Sequence, residues 1–199
     1  DIYSLDKGQL TGPVCTIGVN ATGDGGLLGI AAHPQFGMNH FFYAYYTSGA
    51  TNRNKVTRFV LSGGRCGGAF DIFSDLGAGG SFLRNGGGLA FGPDGKLYVA
   101  TGDVEVGSSA QDDGQLAGKI LRVNDDGTVP DDNPTTGSYV YAKGVRDGAG
   151  IAVGGNGQVY MADAGAVSDS SHDEVNAVPA GGNLGWNAVT GDSGGTYDD

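Results

Sequence analysis

Residues 88–103 read GLAFGPDGKLYVATGD, and the same sentence is written twice more, as GIAAHPQFGMNHFFYAYYT at 29–47 and GIAVGGNGQVYMADAG at 150–165. Each copy opens Gly-(Ile/Leu)-Ala, crosses a turn and leaves through a strand carrying Phe42-Tyr43, Leu97-Tyr98 or Val159-Tyr160. The leading glycines, Gly29, Gly88 and Gly150, recur about every 60 residues, a period that marks a repeat architecture. Strand, glycine-containing turn, strand is a hairpin, and a hairpin repeated at this spacing predicts the blades of a β-propeller. The expected class is all-β, with antiparallel four-stranded blades and about three of them visible. Tyr43, Tyr45, Phe59, Tyr98 and Tyr160 are expected in the packing within and between blades.

The rest of the chain agrees with one β domain over 1–199, incomplete as a propeller, in which 187–199 form a loose tail. Gly accounts for 40 of 199 residues, without a collagen-like period. Lys55 to Leu61 (KVTRFVL) alternates as a half-buried strand does, and Lys119–Val123 runs into Asn124-Asp125-Asp126-Gly127, a turn signal. Tyr139–Ala142 reads as a further short strand. The nearest thing to a helix, Gln111 to Leu121, contains two glycines and reads as a loop. Three blades leave unpaired edges, so further blades or self-association are expected to complete the ring.

Charge excludes whole classes of partner. The formal net charge is −11, which opposes nucleic acid and anionic membranes and suits hard cations such as Ca²⁺. No apolar run reaches the roughly 18 residues of a membrane span. Two cysteines, Cys15 and Cys66, are too few for a zinc site and stand equally as one disulfide or as two buried thiols. Asn20-Ala21-Thr22 is a lone glycosylation triplet. His33, in Ala-His-Pro, reads as structural; His40 and His172 read as solvated. The Asp-rich run 124–133 (NDDGTVPDDN) has calcium-loop composition but not the EF-hand spacing, and tight turns use the same residues.

GLLGIAAHPQF (26–36), GGGLAFGPDGKLYVATGD (86–103), LAGKILRVNDDGTVPDDNP (116–134), YVYAKGVRDGAGIAV (139–153) and DEVNAVPAGGNLGW (173–186) follow one another in the order found in a known family. They resemble the soluble glucose/sorbosone (aldose sugar) dehydrogenases that depend on pyrroloquinoline quinone (PQQ). The resemblance implies a six-bladed propeller of which this chain carries the middle blades, secretion or a periplasmic location, PQQ and Ca²⁺ as cofactors, and a sugar or glycan as partner. It also implies roles. The family histidine that accepts the sugar hydroxyl proton aligns with Arg84, and the aspartate that supports it with Asp103. The PQQ-gripping stretch Arg-Asn-Pro-Gln aligns with Arg146-Asp147-Gly148-Ala149, and the metal neighbourhood with Gly165, Asp169, Asp173 and Glu174. An arginine cannot act as a base near neutral pH. Two functions therefore compete: a non-catalytic binding or structural module on a dehydrogenase scaffold, and a PQQ- and Ca²⁺-dependent sugar dehydrogenase.

Overall fold

In all three repeats the hairpin carries a β-bulge at the same step. Pairing shifts between Leu27 and Gly29, between Gly86 and Gly88, and between Gly148 and Gly150, after which the pairs run on as Gly29↔Tyr45, Gly88↔Ala100 and Gly150↔Ala162. The computed structural model describes residues 1–165 and 173–188. Its strands are β1 Ile2–Asp6, β2 Gln9–Cys15, β3 Leu27–Ala32, β4 Phe41–Thr47, β5 Asn54–Ser62, β6 Arg65–Phe73, β7 Gly86–Phe91, β8 Leu97–Thr101, β9 Lys119–Val123, β10 Val140–Lys143, β11 Gly148–Val153, β12 Val159–Asp163 and β13 Glu174–Val178. They form antiparallel sheets β3-β4-β5-β6, β7-β8-β9-β10 and β11-β12-β13, with β1-β2 as a separate hairpin. The first two blades have the expected four strands. The third has three among the described residues.

The repeated strands β3, β7 and β11 lie side by side as the innermost strands of successive blades. Their glycines permit this approach: a Cβ on Gly29 would overlap the carbonyl oxygen of Gly87, and one on Gly88 would press on Ile151. Alternation along the outgoing strands then fills the spaces between blades. Tyr43, Tyr45, Val56, Phe73, Leu97, Val99 and Leu121 pack between the first and second blades; Tyr98, Ile120, Val159 and Met161 pack between the second and third.

The two ends of the arc are unlike. The outer face of the first blade, Phe42, Ala44, Tyr46 and Phe59, is not open: the segment from Cys15 to Val19 covers it. A Cys15–Cys66 disulfide ties that segment to β6 with Cα atoms 5.1 Å apart, which resolves the two readings of the cysteines. Among the described residues nothing covers the outer face of the third blade. Tyr160, expected in the packing, is 45% exposed where its counterpart Tyr98 is 4% exposed, because no sheet among the described residues lies against it; Val175 beside it is 80% exposed.

Gln111 to Gly118 is a loop after a single 3₁₀ turn at Gly107–Ala110, as the glycines require, and it leads into β9. Lys119 holds it from inside: its buried Nζ donates to the carbonyls of Ser109 at 2.6 Å and Ala117 at 3.0 Å, and burial lowers its pKa to about 8. His33 is structural. Its Nδ1 accepts from Gln35 N at 3.0 Å, and its Nε2 faces Asp125 at 3.4 Å. The acidic run is likewise spent on turns and pairing, with Thr128 N donating to Asp126 and Arg122 held by Asp132 at 2.8 Å.

Candidate functional site

Asp103 ends the second blade's outgoing strand and is fully buried. Its backbone N–H donates to Arg146 O at 2.8 Å, which sews the second blade to the start of the third. Its Oδ1 accepts from Glu105 N at 2.9 Å, closing an Asx turn. Its Oδ2 accepts from the Trp186 indole N–H at 2.7 Å and lies 3.0 Å from Arg84 Nη1. Asp103 is thus both a turn-former and an inter-blade anchor. Burial pushes the carboxyl up from its ordinary range, while Trp186, Arg84 and the Glu105 N–H pull the other way.

Arg84 reaches Asp103 from the loop before β7, and its side chain is 22% exposed. The backbone here is unusual. Phe82 (φ 57°), Arg84 (54°), Val104 (47°) and Glu105 (68°) are all left-handed without being glycine. Such residues persist only where their surroundings over-determine them, and they gather at functional sites. Here the surroundings are explicit. A Cβ on Gly102 would collide with the Arg84 carbonyl, and Val104 N donates to that same oxygen at 3.2 Å. Asn85 is locked from behind by Tyr45, whose hydroxyl donates to Asn85 O at 2.7 Å, and by Asn54, whose amide donates to Asn85 Oδ1 at 2.8 Å.

Arg146 and Asp147 come from the turn into β11. Asp163, at the end of β12, fixes both: its carboxylate accepts from Arg146 N at 2.9 Å and Asp147 N at 2.6 Å. Burial raises Asp163 to about 6 against the pull of those two N–H groups. Among the described residues Arg146 forms no ion pair. Its Nη1 donates to Ala164 O at 2.8 Å, its guanidinium lies over the Trp186 ring at 5.4 Å, and its buried Nε has no partner. Asp147 Oδ1 accepts from Gly86 N at 2.9 Å, two residues from Arg84. Burial raises Asp147 first, and the charge of Asp24 adds to it.

The fold thus brings Arg84, Asp103, Arg146 and Asp147 to one place, as the aligned motifs imply. The metal residues are less gathered. Gly165 N donates to Asp173 at 3.1 Å, and Glu174 accepts from the Asn176 amide at 3.3 Å, while Asp169 lies outside the described residues, as do His172 and most of the tail 187–199. Among the described residues no three His, Cys, Asp or Glu side chains cluster as a metal site would need. Trp186 and Asp163 are the site residues that sequence reasoning missed. A lone tryptophan just beyond the last strand was the only available signal for the first; position at the end of the repeat, where Asp103 also ends its copy, was available for the second.

Comparison with known proteins places this geometry. The family model described as Glucose / Sorbosone dehydrogenase matches residues 1–198. Quinoprotein glucose dehydrogenase B of Acinetobacter calcoaceticus is 31% identical over 89% of this chain and 44% of its own length. Among solved structures, a PQQ-bound aldose sugar dehydrogenase from Streptomyces coelicolor superposes with TM-score 0.86 at 36% identity, covering 98% of this chain and 58% of that one. A glucose dehydrogenase-type oxidoreductase from Thermus thermophilus superposes with TM-score 0.89 at 35% identity, covering 96% and 60%. The chain spans about half the length of the curated relatives it matches.

Proposed function

Because this chain belongs to the Glucose / Sorbosone dehydrogenase family, we propose that it is a non-catalytic version of that scaffold, a set of blades that binds a sugar or glycan without oxidising it. The observation that carries this reading is the Arg84–Asp103 pair at 3.0 Å. Oxidising a sugar by hydride loss requires a group that accepts the hydroxyl proton. A guanidinium stays protonated at any working pH, and this one is held beside a buried carboxylate. General-base catalysis contributes about 10²–10⁴-fold, so its loss is decisive.

The residues present do not fit PQQ as a working redox group. Arg146 spends Nη1 on Ala164 O and its face on Trp186. Asp147 presents a carboxylate, pinned on Gly86 N, to a cofactor that itself carries carboxylates. Ala149 offers a methyl group where a hydrogen-bonding side chain aligns. Retention of Arg146 and Asp103 favours the second reading, PQQ- and Ca²⁺-dependent aldose oxidation. It lacks a proton acceptor at position 84.

The Cys15–Cys66 bond supports a secreted or periplasmic setting, where disulfides persist. The bare outer face of the third blade supports completion of the ring by further blades or by another chain. The test is dye-coupled oxidation of glucose and other aldoses after incubation with PQQ and Ca²⁺, in the chain as it stands and in Arg84→His. No turnover is expected from the first; turnover at a family enzyme's rate overturns the reading.

A further inference from the structure

The hydrogen-bonding groups left over at this site specify a ligand. Asp103 takes Glu105 N on one oxygen and Trp186 Nε1 and Arg84 on the other. Asp163 takes Arg146 N and Asp147 N, one on each oxygen, and Glu105 accepts from Ser81 N at 2.8 Å. The unspent donors belong to two guanidiniums. Arg84 has no side-chain partner but Asp103 among the described residues, and Arg146 has only Ala164 O, with Nε unpaired. Both cations act on the Asp103 carboxylate; Arg146 acts on Asp147 as well, and Arg84 on Glu105. Among the described residues Asp147 Oδ2 has no donor, while its sister oxygen holds Gly86 N.

Planar N–H forks match a carboxylate, and a lone carboxylate oxygen matches a hydroxyl. A neutral aldose satisfies Asp147 but offers the forks only uncharged hydroxyl acceptors. A simple carboxylate does the reverse. A molecule with anions on several edges, PQQ included, sets one of them against Asp147 and Asp24.

We propose that this site recognises an acidic sugar, a hexuronate or aldonate, with its carboxylate on Arg84 and Arg146 and a hydroxyl on Asp147. The proposal rests on the non-catalytic reading above and names the ligand class for the same site.

The experiment is calorimetric titration of the full chain, without PQQ or Ca²⁺, against glucuronate, its neutral amide glucuronamide, glucose and acetate. Glucuronate binds at least about tenfold more tightly than each of the other three, as a charge-assisted contact requires, and added salt weakens it. Asp147→Ala weakens glucuronate but not acetate, and Arg84→Gln abolishes the preference over glucuronamide. Equal binding of glucose and glucuronate, no binding of glucuronate, or acetate binding as tightly as glucuronate overturns the proposal. The ligand series on the unaltered chain decides this even where a variant fails to fold. Turnover of glucose with PQQ sinks the non-catalytic reading instead, and leaves the preference for acid over neutral sugar to be read separately.

Discussion

Trp186 donates its indole N–H to Asp103 Oδ2 at 2.7 Å, across 83 residues of sequence. The bond brings the segment after the third blade back onto the end of the second, and it presents the indole face on which Arg146 lies. Arg84 shares the same oxygen. One buried carboxylate therefore organises a tryptophan and two arginines contributed by three separate parts of the chain.

Replacing Trp186 by Phe keeps the ring under Arg146 and deletes the donor. A hydrogen bond to a charged group contributes about 1.5–3 kcal/mol, and Trp186→Phe is expected to lower stability by that amount. Urea unfolding checks it: the midpoint falls with the slope unchanged. An unchanged midpoint means that Arg84 alone satisfies Asp103.

Asp163 gives the chain a specific pH signature. Its folded pKa, about 6, lies above the ordinary carboxylate value because burial disfavours the charge. The folded state then holds the proton more tightly than the unfolded chain. Stability from this group is full below about pH 4 and is lost as pH rises towards 6, at a cost of about 3 kcal/mol. The difference in unfolding free energy between the parent and Asp163→Asn should change by up to that amount between pH 4 and 7, in the direction of a parent relatively more stable in acid. A flat difference contradicts it.

Much of this fold could be read in advance, and the reason is local. Gly29 and Gly88 sit at the bulges where neighbouring first strands crowd, so this part of the repeat is written in residues that close packing demands, and Gly150 takes the same bulge position in the third blade. Strand β9 falls where Lys119–Val123 runs into the Asn124–Gly127 turn signal. The long-range parts were not legible. The Trp186–Asp103 bond and the cover of Phe42 and Tyr46 by Cys15 to Val19 join segments far apart in sequence, and no local pattern encodes either. Tyr160 misled because its exposure depends on what lies beside the third blade, not on its own strand.

The disulfide closes a loop over a sequence separation of 51 residues, which restricts the unfolded chain by about 4 kcal/mol. The Cys15→Ser, Cys66→Ser double variant should lose stability of that order. It should also expose the face formed by Phe42, Tyr46 and Phe59, read as dye binding to apolar surface. A variant as stable as the parent contradicts the latch.

Association should follow the bare face of the third blade. We expect the chain to self-associate in a concentration-dependent way through Tyr160 and Val175, and Tyr160→Lys with Val175→Lys to suppress this. Light scattering across a dilution series measures it; a parent that is monomeric at every concentration contradicts it.

The central claim is that Arg84, paired with Asp103, leaves the site without a proton acceptor. The direct measurement is single-turnover reduction of bound PQQ by glucose, followed by the quinone absorbance with Ca²⁺ present. It is made in a chimaera joining this chain to the part of the Streptomyces coelicolor relative that it does not cover, in Arg84 and Arg84→His forms side by side. The account predicts quinone reduction at least about 10²-fold slower in the Arg84 form than in the histidine form. Reduction in the Arg84 form as fast as in the histidine form, or at the rate of the intact relative, would contradict it.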